Sequence, residues 1–302
     1  MDDIYILFGI DMETDIGSFT PFLKGVEEGT PLLLELFDKK GIHATFLWVA
    51  DIAQKYKQLV REVESCGHEI GCHTLQHETL GDPFFDIPFI KPVLQEEIEY
   101  RISKATEIIG DVIGHQPISF RTTRFWSNEI ILNSLNNLGY LTDSSYSMYY
   151  HQKQLIPYHP SSESWTEKGN LNILEIPVFA DLTMESHDKY GRDRDQWPIF
   201  RTEGAKALIH HITNMITFFS KRNLPKIFCF YLHPWEFVTM PNRISFGEAV
   251  IEPFPFIVEN CGTKALEELS LLIDELLNMG GQFFTFRDFA DIWRITSKDI
   301  IN

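Results

Sequence analysis

Short apolar segments of strand length alternate with amphipathic segments of helical length along almost the entire chain. The first helical pattern is well bounded, because Thr30 can cap it, Pro31 fits its first turn and Gly41 ends it. The strand-like segments lie before His73 and at residues 5–10, 43–49, 118–120, 139–145, 171–178, 226–232 and 282–286. Such alternation builds a parallel sheet. We therefore predict an α/β fold, a single-domain distorted (β/α) barrel, TIM-like with seven or eight strands, over residues 1–302.

Charged and polar residues follow several of these strands at the point where each strand stops. They are Asp11, Glu13, His73, Arg121, Asp143 and His233. In (β/α) barrels the reactive groups lie at the carboxyl ends of the strands. The shared position therefore predicts that these side chains meet in one active site.

The stretch GHEIGCHTLQHETL, residues 67–80, places His73 and His77 four residues apart, which is a metal-ligand spacing. If the segment is helical, both imidazoles leave one face about 40° apart and can bind one ion. Asp11 and Glu13 point to the same side of a strand, so one could bind the metal while the other holds a reacting water. Asp15 is the alternative third ligand.

Two histidines and one carboxylate leave a position open on a divalent ion, zinc being our first choice among zinc, cobalt, manganese and iron. Such an ion polarises a carbonyl and lowers the pKa of bound water to about 7, so hydrolysis is its natural use. Asp11, if it is not a ligand, would take the proton from that water, and Arg121 would orient it. His233 would then protonate the departing amine or alkoxide.

Composition excludes some partners and leaves others open. The formal net charge is −17, and no cluster of Lys and Arg appears, so we expect no nucleic acid partner. No apolar run reaches membrane-spanning length and no leader pattern precedes the first strand, so we predict no membrane association and a cytoplasmic protein. The substrate is expected to be a small molecule or carbohydrate, and homo-oligomer formation stays open.

The same motifs resemble the polysaccharide deacetylase family, also called carbohydrate esterase family 4. The resemblance rests on Asp-x-Glu after the first strand, the His-x-x-x-His motif after Gly-His-Glu-Ile-Gly, Phe120-Arg121, and Leu232-His233-Pro234. These motifs occur in order over nearly the whole chain. The chain departs from the family pattern after Arg121, where Thr123 replaces the expected Pro and Arg124 follows.

The resemblance implies a single catalytic domain that removes acetyl or related acyl groups from amides, most simply from a sugar-containing substrate. It implies Asp11 as base and His233 as acid, with Arg121 orienting Asp11. The acidic partner of His233 stays open, and Asp143 is our candidate for it. The resemblance also implies Glu13, His73 and His77 as the metal ligands. Two alternatives remain: a hydrolase of a small non-polymeric amide or ureide, with residues 84–93 or 238–261 as lids, and an inactive metal-containing carbohydrate-binding protein.

Overall fold

The computed structural model describes residues 3–88 and 90–300, and eight strands in this part of the chain form one sheet with parallel pairing throughout. These strands are β1 (Ile4–Met12), β2 (Thr45–Trp48), β3 (Glu69–Cys72), β4 (Ser119–Phe120), β5 (Thr142–Asp143), β6 (Leu174–Glu175), β7 (Lys226–Leu232) and β10 (Gly281–Phe284). An antiparallel hairpin of β8 (Ile244–Phe246) and β9 (Ala249–Ile251) lies apart from the sheet.

Strand β1 is the centre of the sheet because it has three neighbours. Its residues 4–10 pair with β7, residues 4–7 pair with β10, and residues 9–12 pair with β2. From β2 the order continues through β3, β4 and β5 to β6. A parallel bridge between Val178 and Cys229 then connects the chain after β6 back to β7. The strands thus form a closed, uneven ring, which confirms the predicted distorted barrel.

The helices follow the strands in the predicted alternation. They are α1 (Thr30–Lys40), α2 (Ala50–Lys55), α3 (Lys57–Ser65), α4 (Ile98–Ile113), α5 (Glu129–Asn137), α6 (Met148–His151), α7 (Gln196–Glu203), α8 (Ala205–Ser220), α9 (Pro255–Val258), α10 (Thr263–Asn278) and α11 (Phe286–Ile300). Gly41 ends α1 in the left-handed conformation, with φ of 65°, as its position after the helical pattern predicts. The pattern over residues 50–66 forms two helices, because the chain leaves helical geometry at Tyr56.

Alternate residues of β1 point to opposite faces of the sheet and belong to two different apolar clusters. Residues at even positions, such as Phe8 and Ile10, belong to the large cluster that the surrounding helices complete. Leu7, at an odd position, belongs to a smaller cluster with Leu47 and Cys229, which Phe289 of α11 also joins. Asp11 shares this alternation with Leu7, so its carboxylate faces the inside of the barrel, at the carboxyl end of β1.

Long irregular segments surround that end of the barrel. Residues 84–93 contain no helix or strand among those described, in agreement with the predicted loop, and residue 89 lies outside the described residues. Residues 238–261, predicted as a loop, contain the hairpin β8–β9 and α9. None of the helices in the described ranges is long and apolar enough to span a membrane.

Candidate metal and catalytic site

The carboxyl ends of β1, β3 and β7 border one cavity of about 270 Å³. The predicted site residues that line it are Asp11, Glu13, His73, His77 and His233. Arg121 follows β4 directly and lies fully buried behind Asp11. Their convergence agrees with the predicted placement of reactive groups at strand ends.

Glu13, His73 and His77 form a group whose ligand atoms lie within 4.8 Å of one another. The Glu13 carboxylate contacts His77 Nε2 directly and lies 3.6 Å from His73 Nε2. His73 Nδ1 lies 2.8 Å from the carbonyl oxygen of Arg121. That second contact fixes the imidazole ring and keeps Nε2 on the side of Glu13, as outer contacts commonly do for metal-binding histidines.

The two histidines converge by a route that differs from the helical one considered for the sequence. Residues 73–78 form no helix, and Thr74 and His77 have φ of 71° and 59°. A left-handed conformation at non-glycine residues is uncommon and bends the chain sharply. The bend brings the ring centroids of His73 and His77 to 5.2 Å. The pairing was therefore predicted correctly, but the conformation behind it was not.

The electrostatics of this group suit a divalent cation. Burial acts to raise the pKa of Glu13, yet His77, His233 and His73 together hold it well below its usual range. Burial also lowers the pKa of His77, which favours the neutral imidazole that binds a metal. One carboxylate and two imidazoles are ligands that zinc accepts, so the donor set fits the predicted metal. Asp15, the alternative ligand, instead accepts hydrogen bonds from the backbone N–H groups of Lys24 and Gly25.

Asp11 is held by Arg121 in the interior of the barrel. Arg121 Nη1 donates to Asp11 Oδ1 at 2.8 Å, and its Nε donates to the carbonyl oxygen of Ser144 at 2.9 Å. Burial works against the charged form of Arg121, but the Asp11 carboxylate raises its pKa. The guanidinium also lies so close to Gly9 that a Cβ atom there would be 2.5 Å from Nη1. The pairing of Arg121 with Asp11 agrees with the sequence prediction.

His233 has a different acidic partner from the one predicted. Its Nδ1 lies 2.9 Å from Glu236 Oε1, and its backbone N–H donates to the same oxygen. Arg201 Nη1 donates to the other Glu236 oxygen at 3.0 Å, and both side chains are fully buried. Burial lowers the pKa of His233, but Glu13 and Glu236 outweigh it and raise the pKa to about 9. Glu236 thus takes the position that was predicted for Asp143.

Asp143 lies one layer further from the cavity, where it supports Arg121. Asp143 Oδ1 accepts a hydrogen bond from Ser145 Oγ, which itself accepts from the backbone N–H of Thr122. Glu175 accepts from the N–H groups of Ser145 and Tyr146. Burial raises the pKa of Asp143 to about 6 and that of Glu175 well above its usual range. We infer that the two buried carboxyl groups share a proton.

Glu175→Gln is expected to remove an alkaline loss of stability. The folded state keeps a proton on Glu175 that the unfolded chain releases above its ordinary pKa of about 4.3. Stability in the wild type therefore falls as pH rises from there through the folded pKa, by up to about 1.4 kcal/mol per pH unit. The Gln amide can donate to Asp143 without titrating. Chemical denaturation of both proteins from pH 5 to pH 9 measures the difference.

Glu163→Gln on the exposed surface is the matched control and should follow the wild-type pH profile. If the unfolding free energies of Glu175→Gln and the wild type run parallel over this range, the two carboxyl groups do not share a proton.

The cavity wall is largely aromatic and aliphatic beyond the polar group at its base. The residues concerned are Ile16, Phe19, Ile87, Phe125, Tyr149, Tyr150, Trp197, Tyr231, Trp235 and Ile257. Ile87 comes from residues 84–93 and Ile257 from residues 238–261, so both segments named as lids reach the cavity. Arg124, from the segment that departs from the family pattern, also lines it.

Comparisons with known proteins agree with this geometry. The family model described as polysaccharide deacetylase matches residues 15–142. A chitooligosaccharide deacetylase from Azorhizobium caulinodans is 30% identical over 112 residues, which are 36% of this chain and 48% of that protein. Two solved structures share the fold, each with a TM-score of 0.63 and 16% identity over 97% of this chain and 91% of theirs. One is a Mycobacterium smegmatis protein named as a polysaccharide deacetylase, and the other is Puue allantoinase.

The sequence matches cover only parts of the named relatives. The chain spans between 29% and 48% of the lengths of the deacetylases that it matches. The family match includes His73, His77 and Arg121 but begins after Glu13 and ends before His233. The roles of the residues outside it therefore rest on the geometry of the site.

Proposed function

We propose that this chain, which matches the polysaccharide deacetylase family model over residues 15–142, is a metal-dependent hydrolase of C–N amide bonds. Its reaction would be the de-N-acetylation of a sugar-containing substrate, the class named for its relatives. The observation that carries the proposal is the group of Glu13, His73 and His77 on the same cavity wall as Asp11 and His233. We propose one domain for residues 1–302.

The proposed proton transfers are divided between two of the chain's own residues, Asp11 and His233. A divalent ion held by Glu13, His73 and His77, zinc by preference, would polarise the amide carbonyl and acidify a coordinated water. Asp11 would accept the proton of the attacking water, since Arg121 fixes one carboxylate oxygen and so orients the group. His233, held by Glu236, would give its proton to the departing amine.

The experiment is acetate release from N-acetylglucosamine oligomers by the metal-loaded protein, compared with the chelator-treated protein. Metal-dependent release that is lost in Asp11→Asn and in His233→Ala supports a hydrolase. If the wild type, Asp11→Asn and His233→Ala all bind a saccharide but release acetate only at the background rate, the protein is instead an inactive carbohydrate-binding protein.

A second candidate substrate is a small non-polymeric amide, because of the size and walls of the cavity. A cavity of about 270 Å³, bordered by Ile87 from residues 84–93 and by Ile257 from helix α9, suits a small molecule better than a polymer. A panel of N-acetylated saccharides against cyclic and linear amides separates the two candidates. If only the small amides are hydrolysed, the proposed de-N-acetylation of a sugar-containing substrate is excluded.

His77→Ala is expected to abolish stoichiometric zinc binding, because it removes one of three ligand atoms that lie within 4.8 Å of each other. Isothermal titration calorimetry of the metal-free protein with zinc measures this directly, without reference to activity. His210→Ala, at an exposed position on α8, is the matched control and should bind one equivalent. Full zinc binding by His77→Ala would assign the metal to other residues.

A further inference from the structure

The segment that follows Arg121 carries an unusual backbone on the cavity wall. Thr122, Arg124 and Phe125 all line the cavity. Arg124 and Phe125 have φ of 61° and 59°, two consecutive non-glycine residues in the left-handed region. Such conformations cost free energy and persist where the surroundings impose them, often at ligand sites. The segment is therefore a candidate for substrate recognition.

Arg124 brings a guanidinium group to a largely apolar wall of the cavity. It is the one lysine or arginine among the described residues that line the cavity. Its Nη1 donates to Thr79 Oγ1 at 2.9 Å, so the guanidinium has a defined position, and it interacts electrostatically with Glu13. Guanidinium groups match carboxylate and phosphate oxygens with paired hydrogen bonds, and a partly buried position strengthens the attraction.

Polar atoms near this segment lack partners in the described part of the protein. Thr122 Oγ1 has no hydrogen-bond partner there, and Thr122 is only 1% exposed. The indole Nε1 atoms of Trp197 and Trp235 are in the same situation, and both residues line the cavity. Buried polar atoms are nearly always paired. A ligand in the cavity that brings several acceptor oxygens would supply the partners.

We propose that Arg124, together with Thr122 Oγ1, binds a negatively charged group of the substrate. The substrate is then an N-acylated amine that also bears a carboxylate or a phosphate. This inference rests on the proposed hydrolase function for its substrate class, but the binding of the anion depends only on Arg124 and Thr122. With a net charge of −17 for the whole chain, attraction of such a substrate depends on local positive charge such as that of Arg124.

Two matched pairs of compounds test the charge and its source. N-acetylglucosamine 6-phosphate is compared with N-acetylglucosamine, and 4-acetamidobenzoate with 4-acetamidobenzamide. The zinc-loaded wild type, Arg124→Gln and Arg124→Lys are assayed for kcat and KM, and binding of each compound is measured by calorimetry. Arg243→Gln, a charge removal at an exposed position near β8, is the control and should match the wild type.

The wild type should prefer the charged member of one pair. Arg124→Gln should raise KM for that compound about 10- to 100-fold more than KM for the neutral member, the range for hydrogen bonds to a charged group. Arg124→Lys should restore part of the loss because it keeps the charge. The pair that responds identifies a phosphate or a carboxylate as the anion.

Two results separate this inference from the proposed function. If no compound is hydrolysed but the charged member binds more weakly to Arg124→Gln, the anion site stands and the hydrolase proposal fails. If Arg124→Gln loses turnover or binding equally for charged and neutral members, Arg124 acts in the reaction or in the fold and the inference is overturned. Equal binding of both members by all variants overturns it as well.

Discussion

Asp11→Asn is expected to lower kcat by about 10²–10⁴-fold, the usual contribution of a positioned acid or base. The substitution keeps the shape of the side chain and an oxygen that can accept from Arg121 Nη1, but the amide cannot take a proton from water. Asp11 itself is outside the group of Glu13, His73 and His77, so zinc binding should be retained. Steady-state kinetics on the best substrate, with zinc content measured on the same samples, checks both expectations.

Stability has to be measured in the same variant, because Asp11 is the charged partner of a fully buried arginine. Removing that charge leaves Arg121 with neutral acceptors only, and Asp11→Asn should unfold at a lower denaturant concentration. Asp38→Asn, at an exposed position on α1, is the matched control and should keep both activity and stability. A folded, zinc-containing Asp11→Asn with nearly wild-type kcat would remove Asp11 from the proposed role of base.

The sequence predicted the barrel because the signals for it are local and repeated. The longer strands β1 and β7 are apolar runs, and each long helix has its own amphipathic pattern. The hairpin β8–β9 was missed, since each of its strands has only three residues and they include exposed positions such as Val250. The break between α2 and α3 at Tyr56 was missed because both halves continue one helical pattern.

The candidate site was predictable where a residue follows a strand and less so where it acts through a partner. Asp11, Glu13, His73, Arg121 and His233 could all be placed at strand ends. Glu236 could have been found from its spacing, because it lies three residues after His233, which begins a helical turn. An acid at that position can accept a hydrogen bond from the backbone N–H of the first residue. Arg201, which holds Glu236 from α7, is distant in sequence and gives no such signal.

Asp143 illustrates why sequence position alone does not define a role. Asp143 is the last residue of β5, and Arg121 and His233 come directly after β4 and β7. Unlike His233, however, Asp143 faces Ser145 and Glu175 and not the cavity. Alternation along a strand decides which face of the sheet a side chain points to. Strand β5 has only two residues, which are too few to show that alternation. The site prediction therefore failed at the residue with the weakest local pattern.

Glu236→Ala is expected to destabilise the protein by about 3–5 kcal/mol, the cost of removing one partner from a buried ion pair. Glu236 and Arg201 are both fully buried, so the charge left on Arg201 has no access to water. Arg201 Nη2 also donates to the carbonyl oxygens of Ile257 and Glu259, and Ile257 lines the cavity. The loss should therefore loosen this wall of the site, and chemical denaturation measures its size.

Glu28→Ala, at an exposed position, is the matched control and should change the free energy of unfolding by less than about 0.5 kcal/mol. The double variant Arg201→Met/Glu236→Ala should regain part of the loss, because the unpaired buried charge is gone. His233 would still lack its acidic partner in that variant, so kcat should stay low although stability returns. If stability and kcat instead recover together, Glu236 serves the fold alone, and the orientation of His233 depends on other contacts.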